Sequence, residues 1–237
     1  MIRLYIKGLP STDKFQQPIR LQPEHVHYLT RVMRLQSGAQ LLVFNENEGE
    51  FLATLKKDGP AGFLILEEQR RRVSNAGFEI HLAFSPLKPH LTSLVVEKAT
   101  ELGVTHIHPV IMERTQIRHI NTDRLQKIAT EAAEQSERLT LPLFTAVTPL
   151  CDFLSAWHGV YWLSAIERSN SGIRPIIGDI AAKMPQSIGV IIGPEGGFSH
   201  TEIAILQDKT TPVSLGEQIL RSETAAICAL SWVILSK

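Results

Sequence analysis

The sequence predicts an α/β protein built on a mostly parallel sheet, preceded by a small all-β unit. Three observations predict this. From Phe78 onward, short apolar runs alternate with segments of helical periodicity, the order that gives parallel strands covered by helices on both faces. Before Arg72 the strand-like runs are instead closely spaced and divided by Gly, Pro and polar clusters. Two late strand-like runs end in bare turns, "GPEGGFS" and "SLGEQ", which leave backbone groups open to a ligand.

In the first unit "RLYI", "AQLLVFN", "GEFLATLKK" and "AGFLILEEQ" are the strands, and their spacing predicts a barrel. Between the first two, "PEHVHYLTRVMRLQSG" sets Val26, Leu29, Val32 and Met33 near helical spacing, with Gly38 as a stop. Arg70, Arg71 and Arg72 followed by "VSNAG" read as a linker, which divides the chain into residues 1–72 and 73–237. The second part opens with strand "FEIHLAF" and a helix from Leu91 to Leu102, where Gly103 can take the left-handed cap. Strand "VTHIHPVI" follows, then a helix from Asp123 to Arg138 that buries Leu125, Ile128, Ala129, Ala132 and Ala133, with Glu134 spaced to pair with Arg138. Strand "LFTAV", a helix opened by Thr148 and Pro149, strand "VYWLSA" and a helix from Pro175 to Lys183 come next. Strand "IGVII", a helix from Thr201, strand "TPVSL" and a C-terminal helix, apolar nearly all round from Ala225 to Leu235, complete the order.

Composition bounds the function. Hydrophobic residues are 43% and charged residues 20% of 237, an ordinary folded composition. The net charge is zero, but residues 1–72 hold 11 Lys and Arg against 8 Asp and Glu, and the remainder 13 against 16. This asymmetry favours an anionic partner for the first part. Cys151 and Cys228 show no metal-ligand spacing and read as reduced packing residues of a cytoplasmic protein. Arg3 and Lys7 interrupt the N-terminal apolar stretch, and no run is long enough to predict a membrane helix.

In parallel sheets ligands bind beyond the carboxyl ends of strands, where "GPEGGFS" falls. A tight turn without a ligand is the plainer reading of two adjacent glycines alone. The run lacks the G-x-x-x-x-G-K-[ST] of a phosphate loop, follows a late strand rather than the first, and is not G-x-S-x-G. Ser199 and Glu202 form S-x-x-E, a helix-opening capping box, so Ser199 is a cap rather than a nucleophile. In "LGEQILRSETAAICAL" a buried helix explains the apolar residues but not Arg221 and Glu223 at its mouth. Arg221 can pair locally with Glu217 or Glu223, or meet an anionic group. In "EAAEQSER", Gln135 and Arg138 flank an Ala-rich helix suited to an interface or a site. His106 and His108 share a strand face but lack a third ligand nearby, so no metal is expected.

"LVVEKATELGVTHIHPV", "EAAEQSER", "IIGPEGGFS" and "SLGEQILRSETAAI", in this order and spacing after a small β unit, resemble the ribosomal RNA small subunit methyltransferase E family. That family belongs to the SPOUT class of S-adenosylmethionine-dependent RNA methyltransferases. The resemblance spans the chain. It implies a SPOUT-type α/β domain with a C-terminal trefoil knot, an exception to unknotted folds, and a PUA-like N-terminal β-barrel that helps bind RNA. It implies S-adenosyl-L-methionine as cofactor, held by three strand-end loops. On this sequence those loops supply Leu163, Ser164 and Glu167; Ile192, Gly193, Pro194, Glu195, Gly196 and Gly197; and Leu215, Gly216, Ile219, Leu220, Arg221, Thr224 and Ala225. The implied reaction is methylation of N3 of a uridine in 16S ribosomal RNA by a homodimer, with the RNA or the small ribosomal subunit as partner. Arg221 is the expected electrostatic catalyst and Glu195 the nearest carboxylate for proton removal. Arg3, Arg31, Arg34, Gln135 and Arg138 are the expected RNA contacts, and Gln218 stands where many family members carry a basic residue. A non-catalytic ribosome-assembly factor on the same fold is the alternative; a degraded "GPEGG" or a lost Arg221 would favour it, and both are intact.

Overall fold

The structure is a computed structural model that describes residues 1–10, 17–73, 77–166 and 185–236. It falls into two compact units, residues 1–75 with 133–140, and residues 76–132 with 141–237.

In the first unit the elements are β1 (Arg3–Tyr5), β2 (Ile19–Arg20), α1 (Pro23–His27), β3 (Gln40–Asn45), β4 (Gly49–Asp58) and β5 (Ala61–Arg71). The strand order is β1-β3-β4-β5-β2, with β1 parallel to β3 and the other pairs antiparallel. Among the described residues β1 and β2 are edges that do not pair with each other, so the strands form an open sheet rather than the expected closed barrel. Only Ile19 and Arg20 make up β2, and both pair with β5. Helix α1 runs into a single π-helical turn, Tyr28–Val32, and Gly38 lies beyond its end at φ 93°. Leu29, Leu41, Val43, Phe51 and Leu64 are the centre of the core.

Arg3 is not the surface RNA contact that the sequence suggests. It is 6% exposed, its Nε donates to Glu50 Oε2 at 2.7 Å, and its Nη1 donates to the carbonyls of Ala133 (3.0 Å) and Glu134 (3.1 Å). These bonds explain why residues 133–140 belong to this unit and not wholly to the second domain. Burial raises the Glu50 carboxyl, but hydrogen bonds and charge from Arg71 and Arg3 outweigh it and leave the group below its ordinary range. A guanidinium so engaged has no donors left for phosphate.

The second unit holds β6 (Glu79–Phe84), α2 (Pro89–Glu101), β7 (His106–Ile111), most of α3 (Thr122–Gln135), β8 (Leu143–Phe144), β9 (Thr148–Pro149), α4 (Leu150–Ala156) and β10 (Tyr161–Ala165). It continues with β11 (Ser187–Ile192), α5 (His200–Lys209), β12 (Thr211–Val213) and α6 (Ser222–Leu235). The sheet order is β12-β10-β11-β6-β7-β8, with β9 also on β7, and every pair is parallel. The period-2 alternation of a strand covered on both faces is visible in β11. Ile188, Val190 and Ile192 enter a core shared with α2 and α6, while Ile191 enters one shared with α4 and α5. Gly103 at φ 84° caps α2 as expected, whereas α3 stops at Gln135, before Glu137 at φ 58°. The helix expected from Pro175 to Lys183 lies outside the described residues. Both cysteines are free, and Cys151 is exposed rather than packed.

Gly189 of β11 lies under the Trp162 ring, and a Cβ there would fall inside it. Gly189→Ala is therefore expected to destabilise the protein by about 1–3 kcal/mol through overpacking. A urea unfolding midpoint equal to that of the parent would show that the ring moves aside freely.

Candidate active site

Five strand ends converge on one cavity of about 780 Å3, at the carboxyl edge where open parallel sheets bind ligands. Lys88 follows β6, Arg114 follows β7, Ala165 and Ile166 end β10, residues 193–198 follow β11, and residues 214–221 lead from β12 into α6.

The glycine loop is held from both sides. Its turn closes with Gly197 N–H donating to Pro194 C=O at 2.8 Å, and Gly197 sits at φ +69°, a conformation side chains disfavour. Arg114 Nη1 donates to Gly196 C=O at 2.8 Å. Beyond the loop, Ser199 caps α5: its Oγ accepts from Glu202 N–H, and Glu202 Oε2 accepts from Ser199 N–H. Glu202 Oε1 accepts Glu113 N–H at 2.7 Å, so the cap also ties this loop to the end of β7. Ser199 is a cap, as its motif predicts. In the second turn Gly216, at φ +128°, donates its N–H to Ser214 Oγ at 3.3 Å.

Of the expected cofactor residues, Ile192, Gly193, Pro194, Glu195, Gly196 and Gly197 line the cavity. So do Leu215, Gly216, Ile219, Leu220, Arg221 and Ala225. Leu163 and Ser164 do not: β10 extends to Ala165, leaving Leu163 in the core and Ser164 buried with its Oγ accepting from Thr210 Oγ1 at 2.8 Å. Ala165 and Ile166 take their place. Thr224 is exposed and outside the lining, and Glu167 lies outside the described residues.

Arg221 is exposed at the N-cap of α6, and its side chain has no hydrogen bond or ion pair among the described residues. Local pairing with Glu217 or Glu223 is thus not realised. Glu195 is likewise exposed and without such a partner. Glu223, which the sequence reading left out of the site, is 9% exposed, lines the cavity, and keeps Oε2 buried without any hydrogen-bond partner. A buried carboxylate oxygen in this state is costly unless a ligand donor meets it. Lys88 and Arg114 were also missed; the signal was their place just after strand ends, and for Glu223 a lone charge in the first turn of an apolar helix.

In the first unit Arg31, Arg34 and Gln135 are exposed. Arg31 joins Arg20 and Lys57 around a concavity of about 960 Å3. Arg138 differs from the expectation: it is half-buried rather than exposed, desolvation pushes its guanidinium down to about 10, and its Nε donates to Thr140 Oγ1 at 3.1 Å.

The histidines of β7 are not isolated. His106 pairs in register with His81 of β6, and their rings stack at 4.3 Å. His81 and His108 are fully buried and joined Nδ1 to Nε2 at 2.9 Å. Burial first, then the charge of neighbouring imidazoles, holds His81 at about 4 and His108 at about 3, so both are neutral near pH 7.

A strand-end cavity floored by bare loops, with an unpartnered cation and a buried unpartnered carboxylate, suits a small charged ligand and an anionic reacting group. Residues 74–234 match the family described as RNA methyltransferase domain, and residues 21–68 match RNA methyltransferase PUA domain. The chain is a member of this class of RNA methyltransferases. Ribosomal RNA small subunit methyltransferase E of Rickettsia conorii is 35% identical over 235 residues, covering 98% of this chain and 94% of that protein. The Synechocystis protein of the same name is 34% identical over 222 residues, covering 91% and 72%. The chain belongs to the ribosomal RNA small subunit methyltransferase E family.

Solved structures share its fold, among them two methyltransferases. A putative methyltransferase from Legionella pneumophila in complex with the bound cofactor SAM has a TM-score of 0.84 at 30% identity, covering 98% of this chain and 96% of that one. A ribosomal RNA small subunit methyltransferase E from Neisseria gonorrhoeae, bound to S-adenosyl methionine, has 0.84 at 26% identity, covering 98% and 95%.

Proposed function

We propose that this chain transfers a methyl group from S-adenosylmethionine to N3 of a uridine in the 16S RNA of the small ribosomal subunit. The observation that carries this reading is the pairing, in one cavity, of Arg221 without a partner and Glu223 with a buried orphan oxygen. Family membership gives the reaction class; this pairing supports giving its residue roles to Arg221 and Glu223. The cavity fits the cofactor's chemistry. Glu223 Oε2 can accept from its amino or hydroxyl groups, backbone groups at Gly193, Gly196 and Leu215 can meet the adenine and ribose, and Leu215, Ile219 and Leu220 supply apolar cover. When bound, the cofactor supplies an electrophilic methyl group on a sulfonium sulfur.

The remaining work falls to the chain. Uridine N3 carries a proton at neutral pH, so its lone pair becomes available only as negative charge develops on the uracil oxygens. Arg221 stabilises that charge, and Glu195 accepts the proton. Pinning of the loop by Arg114 and by the Ser199–Glu202 cap keeps the backbone that carries Glu195 in place before substrate arrives, while Arg221 is set by its place at the N-cap of α6.

The return of α6 from β12, at the sheet edge, to pack against α2, β6 and β11 supports the trefoil knot of the class. On α6, Trp232 is 45% and Leu235 84% exposed, and these apolar groups support a homodimer. Arg20, Arg31 and Lys57, with Arg34 and Gln135, are the proposed RNA surface, so residues 1–72 bind RNA and residues 73–237 carry the chemistry, with 133–140 serving the former. No helix among the described residues is long and apolar enough to cross a membrane. The proposed action on ribosomal RNA supports a cytoplasmic location.

The test supplies methyl-labelled S-adenosylmethionine with small subunits lacking the modification, or with naked 16S RNA. One label per RNA at N3 of a uridine is expected. No transfer to either substrate, or a label on another atom, would overturn the assignment.

A further inference from the structure

The second unit carries another cluster, at the amino ends of its strands and away from the cavity. We propose that Glu79, His81 and His106 bind one divalent transition-metal ion of the zinc class. Their ligand atoms, two imidazole nitrogens and a carboxylate oxygen, all lie within 4.8 Å of one another. The sheet register makes the group: Glu79 and His81 are two apart on β6 and share a face, His106 of β7 pairs with His81, and Ser187 of β11 pairs with Glu79. Ser187 Oγ already lies 3.1 Å from His81 Nε2 and 3.2 Å from Glu79 Oε2.

The nitrogens turned away from the cluster are both engaged. His81 Nδ1 meets His108 Nε2 at 2.9 Å, and His108 Nδ1 meets Thr145 Oγ1 at 3.2 Å. Without an ion His81 Nε2 faces Glu79 Oε2 at 3.4 Å; an ion at Nε2 selects the tautomer in which His81 Nδ1–H donates to His108 and His108 Nδ1–H donates to Thr145, which frees the Nε2 lone pair. His106 Nδ1 lies 3.0 Å from Thr105 Oγ1, which leaves its Nε2 likewise available. Outer partners that fix the tautomer and orientation of an imidazole are the usual support of a metal-binding histidine. Trp157 stands against all three rings, at centroid distances of 5.4, 5.8 and 4.5 Å, and shields that side from water.

Two imidazoles and one carboxylate suit zinc and its neighbours rather than magnesium or calcium. Bonds of about 2.0–2.1 Å place adjacent ligand atoms about 3.3 Å apart in a tetrahedral shell. Buried His81 is the fixed member, and the more exposed Glu79 and His106 close in on it. The fourth position falls to water or to Ser187 Oγ. The ion clips β6 to β7. The site is not visible in the sequence because the E-x-H of "FEIHLAF", which supplies Glu79 and His81, meets His106 only through the pairing of β6 with β7.

The full-length chain, stripped with chelator and dialysed, is titrated with Zn2+ by calorimetry and with Co2+ by visible absorption. One saturable Zn2+ per chain at micromolar affinity or tighter is expected, with the visible bands of four-coordinate Co2+. His106→Ala and Glu79→Gln, both at partly exposed positions, should each weaken binding at least tenfold. Thr145→Val, which removes no ligand, should weaken it about tenfold through His108. His27→Ala should leave it unchanged. Absence of saturable binding by the parent chain, or equal affinity in His106→Ala and Glu79→Gln, overturns the proposal.

Discussion

Arg221→Ala is expected to slow methyl transfer by about 10²–10³-fold, the usual effect of deleting one preorganised group that stabilises developing charge. Cofactor affinity should change little. The structure separates the two effects because the side chain supports nothing else: it makes no cap bond to α6 and no ion pair among the described residues. Its backbone carbonyl still accepts Ala225 N–H, a bond that alanine preserves. Loss of k and retention of binding is the signature of an interaction made mainly in the transition state. Single-turnover rates at saturating cofactor are the measurement, and an unchanged rate would remove Arg221 from the mechanism.

Gly196→Val should abolish cofactor binding, a loss of at least 100-fold in affinity, or about 3 kcal/mol. The fold should survive. Gly196 does not occupy the left-handed region, and a Cβ there would make only ordinary contact with the Arg114 side chain, at 3.4 Å. The branched γ-carbons, however, add bulk beside Arg114 in a wall of the cavity that is otherwise bare backbone, next to the carbonyl that Arg114 holds. Gly197, at φ +69°, is the informative contrast, because any side chain there strains the turn itself. Calorimetry on a Gly196→Val protein with parental melting behaviour decides the matter; near-parental affinity would show that the loop does not border the cofactor.

Much of this architecture was legible in the sequence because period-2 and period-3.6 patterns report which faces are buried. Strands β6, β7, β10 and β11 fall where the apolar runs lie, and the S-x-x-E at Ser199 is a cap in fact. The misreadings share a physical origin: they depend on contacts between residues distant in sequence. Arg3 looks like a surface cation until Glu50 and the carbonyls of Ala133 and Glu134 enclose it. Leu163 and Ser164 belong to the strand run "VYWLSA", as the apolar pattern predicts; their expected place at the ligand came from the resemblance, and the pairing of β10 with β12 up to Ala165 and Val213 keeps both away from the cavity. The open order of the first sheet, the surface left on α6 by Trp232 and Leu235, and the meeting of Glu79, His81 and His106 are equally invisible to local periodicity. Glu223 was the nearest miss. A charge in the first turn of an apolar helix is unexplained by packing, and the orphan oxygen supplies the explanation.

That oxygen offers the most direct test of the central claim, that the cavity between the strand-end loops is the cofactor site. Glu223→Gln keeps the shape and removes the charge. In the ligand-free protein the change should raise the melting temperature, because the buried, unpartnered Oε2 position no longer carries carboxylate charge. In the same protein the affinity for S-adenosylmethionine should fall at least tenfold by calorimetry. A higher melting temperature together with weaker binding is the expected result; unchanged affinity would contradict the claim.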